Sequence, residues 1–378
     1  MKRALMYASV ASMIQQFNMN NIQILLDLGY EVDVACNFET GSTISNEKIK
    51  ELKNILDNLR VRYYQIDVPR QITDTSNIKK AYKQTLKLMN ERNYSLIHCH
   101  SPIGGVICRI ANKNSTNYKN VRMIYTAHGF HFFKGNNLIK NILFRNIERY
   151  AARYTDVLIT INQEDYQAAK SFALKNGGVV EYVPGIGIDV KKIQSIHGDK
   201  KELCNELGIN EDSIILISVG ELSDRKNQKV IIQGMNDLPK NYHYVICGKG
   251  SKLSELRKLS VDLKVSDRVH FLGFRTDIIK LVKSSDMFVF PSLQEGLPVA
   301  LMEALASGIP CIASKIRGNT DLITDSCGSL IDKNESWSTR ILEMGNRRKD
   351  QFWKQKNMLM YDVSEINNKI RQIYLNKE

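Results

Sequence analysis

The chain has 378 residues, 43% of them hydrophobic, and a formal net charge of +13. This length exceeds one comfortable core and predicts two domains of roughly 180 residues each, while no run approaches the ~18 apolar residues of a membrane-spanning helix. Seven cysteines without a C-x-x-C pair, mostly in apolar segments such as Val245-Ile246-Cys247, argue against a disulfide framework or a zinc site and read as buried thiols of a reducing compartment.

Met1-Lys2-Arg3 leads directly into the strand-like Ala4-Leu5-Met6-Tyr7-Ala8-Ser9-Val10 rather than a signal peptide, so a cytoplasmic location is expected. Short β-branched runs alternating with amphipathic segments predict strands at 3–9, 31–36, 95–100, 122–126 and 157–161, then at 214–219, 243–247, 269–272, 287–290 and 310–313. This twice-repeated β-α-β rhythm predicts an α/β protein of two Rossmann-like, doubly wound parallel sheets facing across a cleft, with ligand-binding loops at the strand C-termini. Pro and Gly interrupt the pattern at Val183-Pro184-Gly185-Ile186-Gly187-Ile188-Asp189. The expected domains are therefore 1–185 and 186–354, with a C-terminal helix, about 355–378, crossing back onto the first.

Residues 1–185 carry 24 Lys and Arg against 15 Asp and Glu, whereas 186–378 carry 29 against 25. The basic first half favours an anionic partner: nucleic acid, a phospholipid surface or a phosphorylated substrate. Its cations are spread over several helices without an aromatic stacking platform, which argues against nucleic acid. Residues 136–153 carry Leu138, Ile139, Ile142, Leu143, Phe144 and Ile147 together with Lys140, Arg145, Arg149 and Arg153. Two readings stand: a helix that dips its apolar face into a membrane at its peripheral contact, or a core-facing helix with a solvated basic edge.

In the second half, strand 214–219 ends in Gly220, and the loop behind it holds Arg225 and Lys226, two fixed positive charges suited to a diphosphate leaving group. Further on, Pro298 fits the first helical position and Gly308 followed by Pro310 supplies a stop, predicting a helix at 298–307. Its free amides face the loop at Gly296 and Leu297 and attract a phosphate. Glu303 lies inside this helix, within reach of ribose hydroxyls; Glu295 stays on the loop, where it can accept from sugar hydroxyls. No D-x-D triplet and no metal-spaced His/Cys/carboxylate cluster occurs. Charge developing on a leaving group would fall to Arg225, Lys226 and helix amides.

Gly220, Arg225-Lys226, Gly248-Lys249-Gly250, Phe271-Leu272-Gly273-Phe274, Phe290-Pro291-Ser292, Glu295 through Glu303 and Gly308-Ile309-Pro310 together resemble the group 1, family four retaining glycosyltransferases of GT-B fold. The resemblance covers most of the second half. It implies that Arg225 and Lys226 bind the donor diphosphate, that Glu303 binds ribose and Glu295 the transferred sugar, and that the Leu272-Gly273 backbone holds the base. Gly220, Gly248, Gly296, Leu297, Pro298 and Val299 complete the implied donor pocket. In the first half, Tyr125-Thr126-Ala127-His128-Gly129-Phe130-His131-Phe132 is similar to the branch that builds bacterial capsule and exopolysaccharide repeat units, as is Ile316-Arg317-Gly318-Asn319-Thr320-Asp321-Leu322-Ile323.

That branch implies a catalytic role for His128, facing the donor sugar with a neutral imidazole. His98 and His100, ahead of Gly104-Gly105, are candidates for the acceptor side. Many members carry paired glycines after the first strand, where this chain reads Ala8-Ser9-Val10-Ala11-Ser12-Met13. The Ser9 and Ser12 hydroxyls either substitute at the diphosphate or serve the acceptor. The implied reaction moves a sugar from a nucleoside diphosphate sugar, UDP-sugar foremost, to a hydroxyl of a growing lipid-linked capsular or exopolysaccharide saccharide, without cofactor or metal. A nucleotide-sugar epimerase on the same scaffold is the alternative, needing acid and base about one sugar carbon and no acceptor.

Overall fold

The computed structural model describes residues 2–347 and 358–375. The chain divides into two compact units, Met1–Ile186 with Ile366–Glu378, and Gly187–Glu365. Strands β1 Arg3–Val10, β2 Glu31–Asn37, β3 Arg62–Gln65, β4 Leu96–His100, β5 Arg122–Ala127, β6 Val157–Thr160 and β7 Val179–Tyr182 form the sheet of the first unit, in the order β3-β2-β1-β4-β5-β6-β7. The second unit holds β8 Ile214–Val219, β9 Tyr242–Cys247, β10 Val269–Gly273, β11 Met287–Phe290, β12 Cys311–Ser314 and β13 Gly328–Ile331, in the order β10-β9-β8-β11-β12-β13. Every pairing between these strands is parallel. Each sheet reverses its winding once, between β1 and β4 and between β8 and β11. Those reversals are the positions at which open parallel sheets leave a crevice beyond their strand ends.

Three strands escape the sequence pattern, β3, β7 and β13, and all three are sheet edges. Each is four residues long, and β3 has no buried residue while β7 alternates between exposed and half-buried. A strand covered on both faces reads as a continuous apolar run, as Met287–Phe290 does, whereas a short edge strand does not.

The boundary lies between Ile186 and Gly187, and the second unit extends to Glu365 instead of 354. Gly187 adopts φ +81°, and a Cβ there would stand 2.5 Å from Val363 Cα. Beyond it, Ile366, Ile370, Ile373 and Tyr374 of helix Val363–Leu375 join the core of the first unit beside Ile22, Leu25 and Val183. Their spacing is the stripe of an amphipathic helix. Residues 355–357 and 376–378 of the expected C-terminal helix lie outside the described residues.

Helix Leu138–Ala152 departs from a core-facing reading over most of its length. Only Glu148, Ala151 and Ala152 are buried, while Leu138 and Ile139 are each 77% exposed and Ile142 is 63% exposed. The attachment is a buried ion pair. Arg109 Nη2 donates to Glu148 Oε2 at 2.8 Å, its guanidinium carbon lies 3.8 Å from the Tyr125 ring centroid, and the Tyr125 hydroxyl donates to Glu148 Oε1 at 3.1 Å. All seven cysteines are free and buried, and among the described residues no helix is long and apolar enough to cross a membrane.

Removing one member of a buried pair strands the other charge in low dielectric. Arg109→Ala is expected to lower the unfolding free energy by about 3–5 kcal/mol in a urea titration, and Ile139→Ala to leave it nearly unchanged.

Candidate functional site

In the second unit the residues singled out by sequence converge at the reversal between β8 and β11. Gly220 follows β8 with φ +151°, Gly248 follows β9 with φ +152° and Gly273 ends β10 with φ +67°. They step across three neighbouring strands. Gly220 N–H donates to Cys247 O at 2.9 Å and Gly248 N–H to Gly273 O at 2.7 Å. A Cβ on Gly248 would sit 1.8 Å from the Gly220 oxygen. Positive φ favours glycine at all three positions and absent space requires it at Gly248; together they leave a rim made of main chain, with Leu272 immediately before Gly273.

The loop after Gly220 is fastened to the loop after β11 by Leu293 N–H donating to Arg225 O at 2.8 Å. That bond brings the adjacent Arg225 and Lys226 to Glu295, 70 and 69 positions further on. Lys226 Nζ lies 2.7 Å and Arg225 Nη1 3.0 Å from the same atom, Glu295 Oε1. Arg225 also donates to Gln294 O at 3.1 Å, and Lys226 Nζ stands 4.6 Å from the Phe290 ring centroid. Glu295 and Lys226 are nearly buried, with side chains 9% and 13% exposed, whereas Arg225 is 43% exposed. Burial pushes the Lys226 ammonium below the usual lysine value, and Glu295 opposes that shift. Glu295 Oε2 makes no hydrogen bond among the described residues, so one oxygen holds the cations and the other remains for a hydroxyl. Lysine carries three donors and arginine five, so both cations keep N–H groups for an anion.

Pro298 is the N-cap of helix Val299–Ala306, at φ −79° and ψ 119°, and not its first residue, so the expected helix 298–307 is shorter at both ends. The first helical hydrogen bond is Met302 N–H to Pro298 O at 3.1 Å. Amides ahead of it, Val299 among them, are left for other partners, which is the arrangement that favours a bound phosphate. Glu303 is half-buried on this helix without an ion-pair partner among the described residues, and desolvation raises its carboxyl above the usual 4.5. Arg317 was not singled out as a site residue from sequence. It is buried, donates from Nε to the Glu295 carbonyl at 3.1 Å, and precedes Gly318, whose Cβ would meet the Gly296 oxygen at 2.3 Å. The Arg317-Gly318 pair thus fixes the Glu295-Gly296-Leu297 backbone; an arginine beside a glycine is the signal that could have found it.

In the first unit the corresponding reversal lies between β1 and β4. Ser9 Oγ accepts the Gly104 N–H at 3.2 Å and lies 2.8 Å from Ser101 Oγ. The hydroxyl therefore docks the start of helix Pro102–Lys113 against β1. Gly104 and Gly105 supply the close approach absent from the first loop: a Cβ would lie 2.7 Å from Ser9 Oγ and 2.5 Å from Tyr125 Cε2, respectively. Ser12, expected at the diphosphate or the acceptor, is engaged within its own loops. It is buried, accepts Thr43 N–H at 3.4 Å and donates its own amide to Ser42 Oγ at 3.2 Å.

His128 follows β5 directly and is half-buried. His100, expected on the acceptor side, is buried behind it, with Nδ1 3.1 Å from His128 Nε2, and has almost no exposed surface with which to line a site. His98 is deeper still, between Tyr374 Oη at 2.7 Å and Thr126 Oγ1 at 2.8 Å. Burial holds His128 down to about 4, and burial, with His128 adding to it, holds His98 at about 3. The row is therefore uncharged near neutral pH.

Residues 199–356 match the family model "Glycosyl transferases group 1", and residues 8–162 match "Glycosyl transferase 4-like". The protein named EpsD from Bacillus subtilis (strain 168) is 31% identical over 86% of this chain and 81% of its own length. An Escherichia coli UDP-Gal:alpha-D-GlcNAc-diphosphoundecaprenol alpha-1,3-galactosyltransferase is 29% identical over 85% and 81%. The crystal structure of Anabaena Alr3699/HepE in complex with UDP-glucose superposes with a TM-score of 0.74 at 18% identity, covering 98% of this chain and 99% of that one.

A carboxylate in Glu303's position accepts from hydroxyl donors more strongly when ionised than when protonated. UDP affinity is therefore expected to be full above its raised pKa and to fall on acidification through a titration lying above 4.5. Calorimetry on Glu303→Gln should show weaker binding, by about 10- to 100-fold, without that titration.

Proposed function

The chain belongs to the group 1 glycosyltransferases and has their GT-B fold of two Rossmann-like domains, and on that premise we propose that it moves a sugar from a UDP-sugar to a hydroxyl of a lipid-linked saccharide, with retention of configuration and without a metal. The observation that carries this reading is the Glu295 carboxylate, shared by Arg225 and Lys226 at one oxygen and open at the other. The two cations with spare donors suit the diphosphate, the helix amides at Val299 its phosphates, Glu303 the ribose and the Leu272-Gly273 rim the base. Glu295 Oε2 suits the sugar, and within the first unit His128 offers a neutral hydrogen-bonding ring.

Retention follows best from attack on the face the diphosphate leaves. A carboxylate already bound by two cations is a poor nucleophile, which disfavours a glycosyl-enzyme at Glu295. The glycosidic C–O bond to the diphosphate breaks, the acceptor oxygen bonds to the same face of the anomeric carbon, and its proton passes to the departing phosphate oxygen. Arg225 and Lys226 stabilise the charge that collects there. A lipid-linked acceptor is what the E. coli relative's name describes, and assembly of an exopolysaccharide or capsule is the role such an acceptor suits. The exposed apolar residues Leu138, Ile139, Ile142 and Leu143, with Lys140, Arg145 and Arg149 on the same helix, suit peripheral contact with an anionic inner leaflet.

One UDP-sugar should raise the melting temperature and be transferred to a lipid-diphosphate saccharide in the presence of EDTA, giving product of the donor's anomeric configuration by NMR. Lys226→Ala is expected to cost roughly 2–5 kcal/mol of donor binding. Conversion of the UDP-sugar without acceptor would instead indicate the epimerase. Glu295→Gln should lower turnover without a trapped adduct, and a covalent sugar at Glu295 in the wild type would overturn same-face attack.

Flotation with phosphatidylglycerol vesicles should weaken on adding salt and on charge reversal at Arg145 and Arg149. Flotation insensitive to both would count against membrane contact.

A further inference from the structure

Beside helix Leu138–Ala152 the first unit has a cavity of about 80 Å³ that the proposed transfer leaves unused. Its walls are Ile78, Ile103, Val106, Phe144 and Ile147, with His131 at one side, where its ring packs edge-on against Phe144 at 5.2 Å between centroids. The carboxylate that borders it, Glu148, is already bound by Arg109 and Tyr125. The cavity is partly open to the surface, and Ile72 of its lining is 41% exposed. Such a wall offers almost nothing to a sugar or a base, and it offers a hydrocarbon an apolar seat.

Its place in the chain restricts the hydrocarbon further. Ile103 is the second residue of helix Pro102–Lys113, which starts directly after β4, at the carboxyl edge of the sheet. His131 is three residues beyond His128, a span of at most roughly 10 Å. That separation is comparable with a monosaccharide diphosphate. Lys134 and Arg145 flank the same segments, and Arg145 sits over the Phe132 ring at 5.2 Å. An apolar seat, cations on the chain segments next to its lining residues His131 and Phe144, and the candidate catalytic histidine within three residues of His131 match the order of parts in an amphiphile: hydrocarbon, diphosphate, sugar.

We propose that this cavity seats the first branched hydrocarbon unit of the acceptor lipid, so that the enzyme reads the lipid next to its diphosphate as well as the sugar beyond it. This rests on the lipid-linked acceptor proposed above and adds a recognition element to it. A cavity of about 150 Å³ accommodates a benzene ring, so this one, open at its mouth, takes the start of a chain and leaves the remainder to the bilayer.

The full-length protein, with UDP at saturation to occupy the second unit, is titrated calorimetrically with farnesyl diphosphate and with inorganic diphosphate. Farnesyl diphosphate should bind more tightly by about tenfold, the worth of roughly two buried methylenes. Ile103→Trp, which fills the cavity, should remove that advantage while UDP affinity and melting temperature stay unchanged; Val106→Phe fills it from the next turn should the first variant fail to fold. An advantage that survives filling, or that is lost instead on Leu138→Ser with Ile142→Ser, overturns the cavity as the seat. Transfer assays separate this from the acceptor reading. Transfer to a lipid-diphosphate saccharide with a KM raised by Ile103→Trp and an unchanged kcat supports both; transfer indifferent to the variant overturns the cavity alone; no transfer to any lipid-diphosphate saccharide, with soluble saccharides used instead, overturns the acceptor reading and the seat with it.

Discussion

The donor half of this enzyme depends on one oxygen atom. Glu295 Oε1 accepts from both Arg225 and Lys226, and without it two like charges on adjacent residues would face each other in a partly desolvated loop. The carboxylate sets their positions without a ligand, so an anion reaching them would meet donors that are already aimed, at little cost in reorganisation. Arg317 extends the constraint backward by holding the Glu295 carbonyl, and the rim glycines extend it sideways by letting main chain meet main chain. The cluster costs something as well. Lys226 and Glu295 are nearly dehydrated, and such a pair contributes little net stability; its retention is better understood as positioning.

The first unit handles polarity differently. It brings His98, His100 and His128 together without formal charge, and burial keeps them neutral over the range in which free histidine titrates. His128 then presents a hydrogen-bonding ring whose orientation is shared with His100, and His98 ties the far end of the row to Tyr374 of the returning C-terminal helix. A neutral imidazole can exchange hydrogen bonds with a hydroxyl without adding a positive charge to the first unit.

Much of this was legible in the sequence. Strands covered on both faces announced themselves as apolar runs, and Gly220, Arg225, Lys226, Glu295 and Glu303 stood at positions where strand ends and a helix start made their chemistry readable. The edge strands β3, β7 and β13 were not legible, because a strand half in solvent has no continuous apolar signal. Nor was the sharing of Glu295 Oε1, since sequence spacing does not say that two loops about seventy residues apart abut. Ser12 and His100 carry suitable groups in suitable loops, and only burial shows that one fastens a loop and the other stands behind His128. A rim built from Gly220, Gly248 and Gly273 leaves discrimination among bases and sugars largely to backbone shape, where side-chain identity is a poor guide.

Helix Leu138–Ala152 is buried at Glu148, Ala151 and Ala152 and attached nearer its start by Asn141, bonded to the Phe133 backbone, and by Phe144 on the core, while Leu138, Ile139, Ile142 and Leu143 stand in solvent. Mechanically it is clamped along one face, by the Arg109 pair near its end and by Asn141 and Phe144 nearer its start, with the other face free. Load-free positions such as Leu138, Ile139 and Ile142 can change without disturbing the sheet behind them. A lineage can therefore retune the free face of this helix to a different surface while the clamp, and the histidine row folded with it, stays as it is.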